Sequence, residues 1–360
     1  MTGDSRQEVQ RLLAHARREL EQGLAADTAR RPQTVAQYLL DWLASKAPDL
    51  APKTAVTWEG FMRLHLVPAF HRTPLTKLSP QQVQRAYAMW REQGLSSTTV
   101  GHLHAVLKHA LSDAIRLGLM ARNPLDAIKR PKANQREMRV LTEAQAQTLI
   151  AACQHERLGA LIVMALSTGM RQGEMLGLRW KDVDLDGHRL RVHVNLQHVK
   201  GADGITRPIL KAPKTPHSNR TIVMTPGLVD ALRSHRQRQR LERLALGPAW
   251  SDQDLVFCNE VGRPCDPKHI GVRLHHRLLA ACGLPRIRFH DLRHTAATLL
   301  ISRGVNPKVV SEMLGHASIA ITLQTYTHVQ PHMQQAASDA MQVALWGQVS
   351  VDGQEEGGGT

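Results

Sequence analysis

One basic segment most constrains what this chain can fold into. From Lys129 to Arg136 it combines four cations with a proline and otherwise holds only Ala, Asn and Gln. Such a composition is typical of an extended linker between domains. Because 360 residues are many for one average domain, we predict two folded units, at 31–128 and 140–330, with a linker at 129–139.

The unit before the linker is predicted to contain four helices. The second begins near Pro52. Ser79 and Pro80 suit the N-cap and first turn of the third, and the fourth runs from Ser97 to Leu117. The first helix has an apolar stripe made by Val35, Leu39, Leu40 and Leu43.

The unit after the linker is predicted to mix helices with a small sheet. Thr142 to Gln145 form a capping-box sequence at the start of its first helix, and Thr225 with Pro226 begins a later one. Between these helices, short segments have the pattern of strands. They are 190–196, 208–210 and 220–224. The expected fold class is therefore mainly α with a small antiparallel β-sheet.

Three terminal segments lie outside the two units. Residues 1–30 are expected to contain one helix, and residues 331–346 another, because apolar residues recur there at helical spacing. Residues 347–360 are rich in Gly and Glu, and we expect them to be disordered.

The charge distribution indicates a polyanionic partner. The formal net charge is +15, with +7 in residues 31–131, +12 in residues 132–330 and −4 in residues 331–360. This is expected if both units bind nucleic acid, but a basic protein without that role has the same composition. No apolar run is long enough to span a bilayer, and no leader sequence is evident, so we expect a cytoplasmic protein.

Five short segments of the second unit combine the residue types that phosphoryl transfer requires. Each alone has an ordinary explanation, such as a solvated charge or a half-buried tyrosine. The segments are Ser167 to Glu174, Ala212 to Thr215, His290 to His294, Leu314 to His316, and Thr325 to His328.

The order and spacing of these segments resemble the tyrosine recombinases, the phage-type integrase family, over about residues 31–330. The most specific pair is the run from His290 to Thr295 and the Leu-Gly-His run that ends at His316, ten residues before Tyr326. The resemblance implies a two-domain DNA clamp, with a four-helix, SAM-like core-binding domain and an α+β catalytic domain. It also implies that residues 1–30 are the remnant of an arm-binding region.

The resemblance further implies the residues that move protons and make the covalent bond. Tyr326 is the nucleophile that becomes joined to a backbone phosphate. Its phenol has a pKa near 10 when free, so the proton must be removed or the phenolate stabilised. His290 is the candidate to accept or relay it. Lys214, between two predicted strands, supplies a proton to the departing 5′-oxygen.

A second set of residues is implied to bind the phosphate. Arg171 and Arg293 can hold its non-bridging oxygens in a fork geometry that lysine cannot match. His316 can donate one more hydrogen bond. Glu174, one turn after Arg171, is expected to orient that arginine.

No metal or nucleotide is expected to take part, since a phosphotyrosine stores the energy of the cut bond. The sequence has no Walker loop, no obvious carboxylate cluster and no standard zinc spacing among its four cysteines. The expected partners are double-stranded DNA and three further copies, because two duplexes need four strand cuts and a homotetramer on two sites supplies four tyrosines. An accessory DNA-bending or directionality protein is a further candidate, and no membrane is expected.

Several functions remain open at this point. The long predicted hairpin from Gly187 to Met224 favours the integrase of a phage or another mobile element over an Xer-like resolvase of chromosomes or plasmids. A type IB topoisomerase uses similar chemistry, and a DNA-binding regulator without catalysis is the remaining alternative.

Overall fold

The computed structural model describes residues 33–132, 138–201, 204–211, 219–315, 338 and 341–345. The chain divides into two compact units, Met1–Arg136 and Glu137–Thr360. Helices dominate, and the sheets are small and antiparallel, so the predicted fold class is confirmed. Within the described part of the chain, no helix is long and apolar enough to cross a membrane.

The terminal segments and the linker are described only in part. Residues 1–30 and 347–360 lie outside the described residues, as do 133–137 of the predicted linker. Within 331–346, residues 338 and 341–345 are helical.

The first unit contains the four predicted helices. Thr34 and Ser79 form capping boxes with Gln37 and Gln82, which satisfies backbone N–H groups at the start of two of them. The second helix continues through a π-helical turn into a short further helix. The helices are α1 Val35–Lys46, α2 Pro52–Phe61, α3 Val67–Phe70, α4 Pro80–Glu92 and α5 Ser97–Arg116.

The inward faces of these helices form the core of the first unit. Val35 and Leu39 are fully buried, but Leu40, which we predicted to share their stripe, is 51% exposed. At about 100° per residue, Leu39 lies about 40° from Val35 around the helix axis, whereas Leu40 lies about 140° away and faces outward. Trp42 takes the next inward position instead.

Seven α-helices of the second unit lie wholly within its described residues, apart from the helical residues at 338 and 341–345. The Thr142 capping box and the Thr225–Pro226 helix start are both present, as predicted. The helices are α6 Glu143–Ala152, α7 Gly159–Thr168, α8 Gln172–Leu176, α9 Pro226–Leu246, α10 His276–Ala281, α11 Asp291–Ser302 and α12 Pro307–Leu314. The strands are β1 Val183–Asp184, β2 Arg189–Val192, β3 Asn195–Lys200, β4 Thr206–Lys211 and β5 Arg220–Val223.

The strands form two sheets, and this corrects the single strand predicted at 190–196. β2 pairs with β1 and β5 in a three-stranded sheet, whereas β3 and β4 form a separate two-stranded hairpin. The pairing of Val192 with Arg220 is the last between β2 and β5. Because β5 begins at Arg220, residues beyond Val192 have no partner on that strand, and from Asn195 the chain pairs with β4.

Helix α7 lies at the centre of the second unit and packs against α9 and α11. Its start is tight, since a Cβ atom on Gly159 would lie 1.9 Å from the carbonyl oxygen of Cys153. The helix ends at Gly169, which has a left-handed φ of 61°. A buried, well-packed helix thereby fixes the position of the turn that leads into Arg171.

Candidate active site

The turn after α7 positions Arg171 at the N-cap of α8. The backbone N–H of Arg171 donates to Glu174 Oε2 at 3.0 Å, and the Arg171 guanidinium donates to Glu174 Oε1 at 2.8 Å. One carboxylate therefore fixes both the backbone and the side chain of Arg171. Its remaining terminal nitrogen, Nη2, donates to the carbonyl oxygen of Gly315 at 2.9 Å.

Glu174 is 4% exposed and lies between two arginines. Arg220 Nη2 donates to Glu174 Oε2 at 2.9 Å. Burial opposes ionisation of the carboxyl, but hydrogen bonds and charge from Arg220, then from Arg171, outweigh it and hold the pKa of Glu174 below its usual value. Glu174 is thus a buried anion near neutral pH.

Arg293 is in the first turn of α11 and is 3% exposed. Its Nη1 atom donates to the carbonyl oxygens of Gly169 at 2.7 Å and Leu314 at 2.8 Å. Glycine at 169 allows the end of α12 to pack this closely against the end of α7, because a Cβ atom at residue 169 would lie 2.3 Å from a methyl carbon of Leu314. The end of α7 and the end of α12 therefore meet at one guanidinium.

Three consecutive carbonyls at the C-terminal end of α12 accept hydrogen bonds from three different arginines. Met313 accepts from Arg220 Nε at 2.6 Å, Leu314 from Arg293 and Gly315 from Arg171. The last carbonyls of a helix have no partner within the helix and carry partial negative charge, so they suit cations. The three guanidiniums therefore converge on one helix end, directly before His316.

The three guanidiniums form an arginine cluster at one helix end. Arg171 and Arg220 both donate to Glu174, whereas Arg293 donates to the carbonyl oxygens of Gly169 and Leu314. A fixed set of guanidiniums suits an anionic ligand such as a phosphodiester, whose non-bridging oxygens accept hydrogen bonds from guanidinium groups. Within the described residues, no group of three His, Cys, Asp or Glu side chains could hold a metal ion.

His290 is the N-cap residue of α11, one turn before Arg293. Its ring lies edge-on to His294, with 5.3 Å between ring centroids. The His290 side chain keeps an exposed surface. The protein packed around the rest of the ring, with added repulsion from His294 and Arg293, lowers the pKa of His290 to about 4. The imidazole is therefore neutral at pH 7 and can accept a proton.

Four of the seven residues predicted for the site, Arg171, Glu174, His290 and Arg293, are described, and the contacts bring Arg171, Glu174 and Arg293 together. The other three, Lys214, His316 and Tyr326, lie outside the described residues. In the chain, Lys214 falls between β4 and β5, and His316 directly follows Gly315.

Sequence reasoning missed the role of Arg220, which was placed in the long predicted hairpin as the first residue of a strand. The position of Arg220 within its strand could have indicated this role. Residues of a strand alternate between faces, so Arg220 shares a face with Ile222, and Ile222 is 3% exposed. An arginine at an inward position of a strand predicts a buried partner, and here that partner is Glu174.

Comparison with known proteins shows the family of this chain. The phage integrase family model matches residues 139–333, and the model of the phage integrase N-terminal SAM-like domain matches residues 34–90. A XerC-like tyrosine recombinase of Caldanaerobacter subterraneus is 33% identical over 304 residues, which cover 81% of this chain and 78% of that protein. An integrase of Saccharopolyspora erythraea is 27% identical over 367 residues, which cover 88% of this chain and 84% of that protein.

Two solved structures share the fold. The integrase of transposon Tn1549, in complex with a circular intermediate DNA, gives a TM-score of 0.72 at 23% identity, covering 86% of this chain and 99% of that one. A lambda integrase tetramer bound to a Holliday junction gives 0.59 at 18% identity, covering 90% and 88%. With the family model matching more than half of the sequence, the chain belongs to the phage integrase family of tyrosine recombinases, enzymes that cut and rejoin DNA in site-specific recombination.

Proposed function

We propose that this chain is the integrase of a phage or another mobile DNA element, and that it inserts and excises the element through a covalent bond between Tyr326 and a 3′-phosphate. The observation that carries the proposal is the convergence of Arg171, Arg220 and Arg293 on three consecutive carbonyls at the end of α12. That convergence gives a fixed, cationic position for one phosphodiester.

In the proposed reaction, the Tyr326 oxygen attacks phosphorus and the bond between phosphorus and the 5′-oxygen breaks. The phenol proton passes to His290, and the departing oxygen takes a proton from Lys214. Arg171 and Arg293, with His316, hold the non-bridging oxygens as negative charge increases in the transition state. Rejoining is the reverse attack by a 5′-hydroxyl, so no external energy source is needed.

Two features of the described residues support these assignments. His290 is neutral at pH 7 because its pKa lies at about 4, and an entering phosphodiester raises a histidine's affinity for a proton. Of the three tyrosines in the chain, Tyr38 and Tyr87 are 3% and 6% exposed in the core of the first unit. Burial raises the pKa of Tyr38 to about 12. Tyr326 is therefore the tyrosine left to serve as nucleophile.

The mobile-element role is favoured over that of a resolvase by the inserted hairpin. β3 and β4 pair through six residues each and lengthen the connection between β2 and β5. The long connection and the integrase relatives fit an element-borne enzyme. The XerC-like relative keeps an Xer-type resolvase as the second candidate.

We propose a cytoplasmic homotetramer on two recombination sites as the working assembly, in which the two units of each protomer clamp the duplex. One chain contributes one Tyr326, and exchange of two duplexes requires four cuts. The lambda integrase tetramer on a Holliday junction supports this number by analogy. An accessory DNA-bending or directionality protein is proposed to set the direction of the reaction.

The proposed function is tested by excision in cells. The chain is expressed beside the DNA that flanks its gene, and outward-facing primers amplify the joined ends of an excised circle. We expect the junction with the wild type and with Tyr38→Phe, and no junction with Tyr326→Phe. Excision by Tyr326→Phe contradicts the assigned nucleophile. Exchange between two chromosomal sites without a circle favours the resolvase.

A further inference from the structure

We propose that Arg220 is a positioning residue for strand cleavage, which holds Arg171 and the end of α12 in the geometry that binds the scissile phosphate. The inference rests on the proposed function and adds a residue to it. Arg220 lies on β5, immediately after the segment that contains Lys214. It acts through Glu174 and through the backbone of Met313, not through the substrate.

The contacts of Arg220 join two separate parts of the site. On one side, Nη2 donates to Glu174 Oε2 at 2.9 Å, and Glu174 in turn holds Arg171. On the other side, Nε donates to the carbonyl oxygen of Met313 at 2.6 Å. A change at Arg220 must therefore displace both Arg171 and the turn that leads to His316.

The packing around Arg220 leaves little freedom. Its side chain is 8% exposed and that of Glu174 is 4% exposed. A Cβ atom on Gly315 would lie 2.9 Å from Arg220 Nη1, and Gly315 has a left-handed φ of 68°. Glycine at 315 thus allows both the end of α12 and the close approach of the guanidinium.

Lysine cannot reproduce this arrangement. The guanidinium donates in one plane to a carboxylate through Nη2 and to a carbonyl through Nε. A lysine ammonium is a single point of charge on a flexible stem and lacks the fixed fork. Arg220→Lys retains the charge that Glu174 needs and loses the geometry, so this variant separates positioning from charge.

The position of Arg220 also links the lysine-containing segment to the arginine cluster. Arg220 pairs with Val192 as the first residue of β5, and residues 212–219 precede it directly in the chain. Arg220 is thus both the first residue of β5 and one of the three arginines at the end of α12. The end of the segment from which Lys214 would act is therefore fixed to the groups that bind the phosphate.

The test measures covalent adduct formation in a single turnover, at saturating protein, on a duplex that contains the junction sequence of the excised circle. Two substrates are compared, one with a normal scissile phosphate and one with a neutral methylphosphonate at that position. Because the methylphosphonate carries no negative charge, its cleavage depends much less on well-placed guanidiniums. A defect that arises from misplaced arginines therefore shrinks on the methylphosphonate, whereas a general folding defect is equal on both substrates.

With Arg220→Lys we expect cleavage of the phosphate to slow by about 100-fold, the loss typical of an ångström-scale misplacement. The loss on the methylphosphonate should be at least about tenfold smaller, as for Arg171→Ala. The control, Arg191→Lys, changes an exposed arginine on the neighbouring strand β2 and should cleave both substrates like the wild type.

A second variant covers the case in which Arg220→Lys is unstable. The pair Arg220→Met with Glu174→Gln removes both charges of this ion pair, and Glu174→Gln alone, which keeps Arg220 but weakens the hold on Arg171, is its matched control. We expect the double variant to fold and bind DNA, yet to show a substrate-dependent loss that exceeds the loss of Glu174→Gln.

Wild-type rates with Arg220→Lys, or an equal loss on both substrates in both variants, would overturn the positioning role alone. Absence of any adduct with the wild type overturns the proposed function, and the role of Arg220 with it.

Discussion

The two units of this protein bury charged groups in opposite ways. In the first unit, the buried Asp113 is 5% exposed. It accepts a hydrogen bond from Trp42 at 2.8 Å and forms ion pairs with Lys46 at 3.3 Å and with Arg116. The side chains of both cations lie at the surface, where water solvates their charge. In the second unit, three guanidiniums donate to consecutive carbonyls at one helix end, and two of them also donate to the carboxylate of Glu174.

The difference distinguishes a charge that serves the fold from charges that we propose serve a ligand. Asp113 satisfies a buried indole N–H and helps to join α1 to α5, so its role is complete in the isolated protein. The arginine cluster instead holds three guanidiniums on consecutive backbone carbonyls, and we propose that a phosphate completes it. Several guanidiniums that converge at one place are therefore a better indicator of an anion site than burial itself.

The largest expected effect is on Arg293. We expect Arg293→Lys to slow adduct formation by about 1000-fold, because one preorganised donor to the transition state is lost. Asp113→Asn in the first unit should leave the single-turnover rate unchanged while lowering the melting temperature. The measurement is adduct yield against time at saturating protein. A rate loss with Asp113→Asn that matches that of Arg293→Lys would remove the distinction between the two charges.

A second prediction asks whether both units bind DNA. Both carry excess positive charge, so we expect residues 137–360 alone to bind duplex DNA about 100-fold more weakly than the whole chain, since the linker makes the second contact intramolecular. Binding of the whole chain should also weaken more steeply with salt. Fluorescence anisotropy at several salt concentrations measures both. Equal affinities, with the shorter chain shown to be folded by circular dichroism, would contradict a clamp.

The sequence was sufficient for those parts of the fold that local signals determine. The capping box at Thr142 and the N-cap at Ser79 were predicted, because a cap depends on residues close together in the sequence, whereas the capping box at Thr34 was not predicted. The division of 190–196 between two sheets was not found. This division depends on where β5 begins, and the residues of 190–196 carry no information about that position.

The same limit applies to the site. Motif order indicated Arg171, His290 and Arg293, but not the contacts that join them. Those contacts depend on three successive carbonyls that become acceptors only when α12 ends at Gly315. The burial of Arg220 could be inferred from strand alternation, whereas its link to Met313, 93 residues away, required the tertiary structure.

Two glycines in left-handed conformation, one in each unit, allow the packing of the two units to be compared. Gly169 has φ 61° and no room for a Cβ atom beside the buried Leu314, whereas Gly94 has φ 88° and nothing within 4 Å. We expect Gly94→Ala to cost about 1 kcal/mol from backbone strain alone. Gly169→Ala should cost about 3 kcal/mol, because overpacking is added. Denaturant unfolding of both variants measures these costs, and equal values would argue against tight packing at the site.

The smallest effect expected is on acid stability. Burial, with His276 adding to it, lowers the pKa of His275 in the second unit to about 4. A folded-state pKa below the unfolded value of about 6.5 means that the stabilisation is complete above pH 6.5 and is lost as the pH falls towards 4. At pH 5 we expect a loss of about 2 kcal/mol from this group. Unfolding free energies from pH 7 to 5 should fall less steeply for His275→Gln, and identical slopes would show that His275 is not the cause.

The most direct test of the account is the identity of the covalent bond. The protein is incubated with a nicked duplex that contains the junction sequence, so that the cut strand cannot be rejoined, and the denatured adduct is digested and analysed by mass spectrometry. We predict a nucleotide linked through its 3′-phosphate to the peptide that contains Tyr326, with no adduct from Tyr326→Phe. An adduct on Tyr38, Tyr87 or any residue other than Tyr326, or DNA that is bound and never cut, would contradict the claim that the arginine cluster serves phosphoryl transfer to this tyrosine.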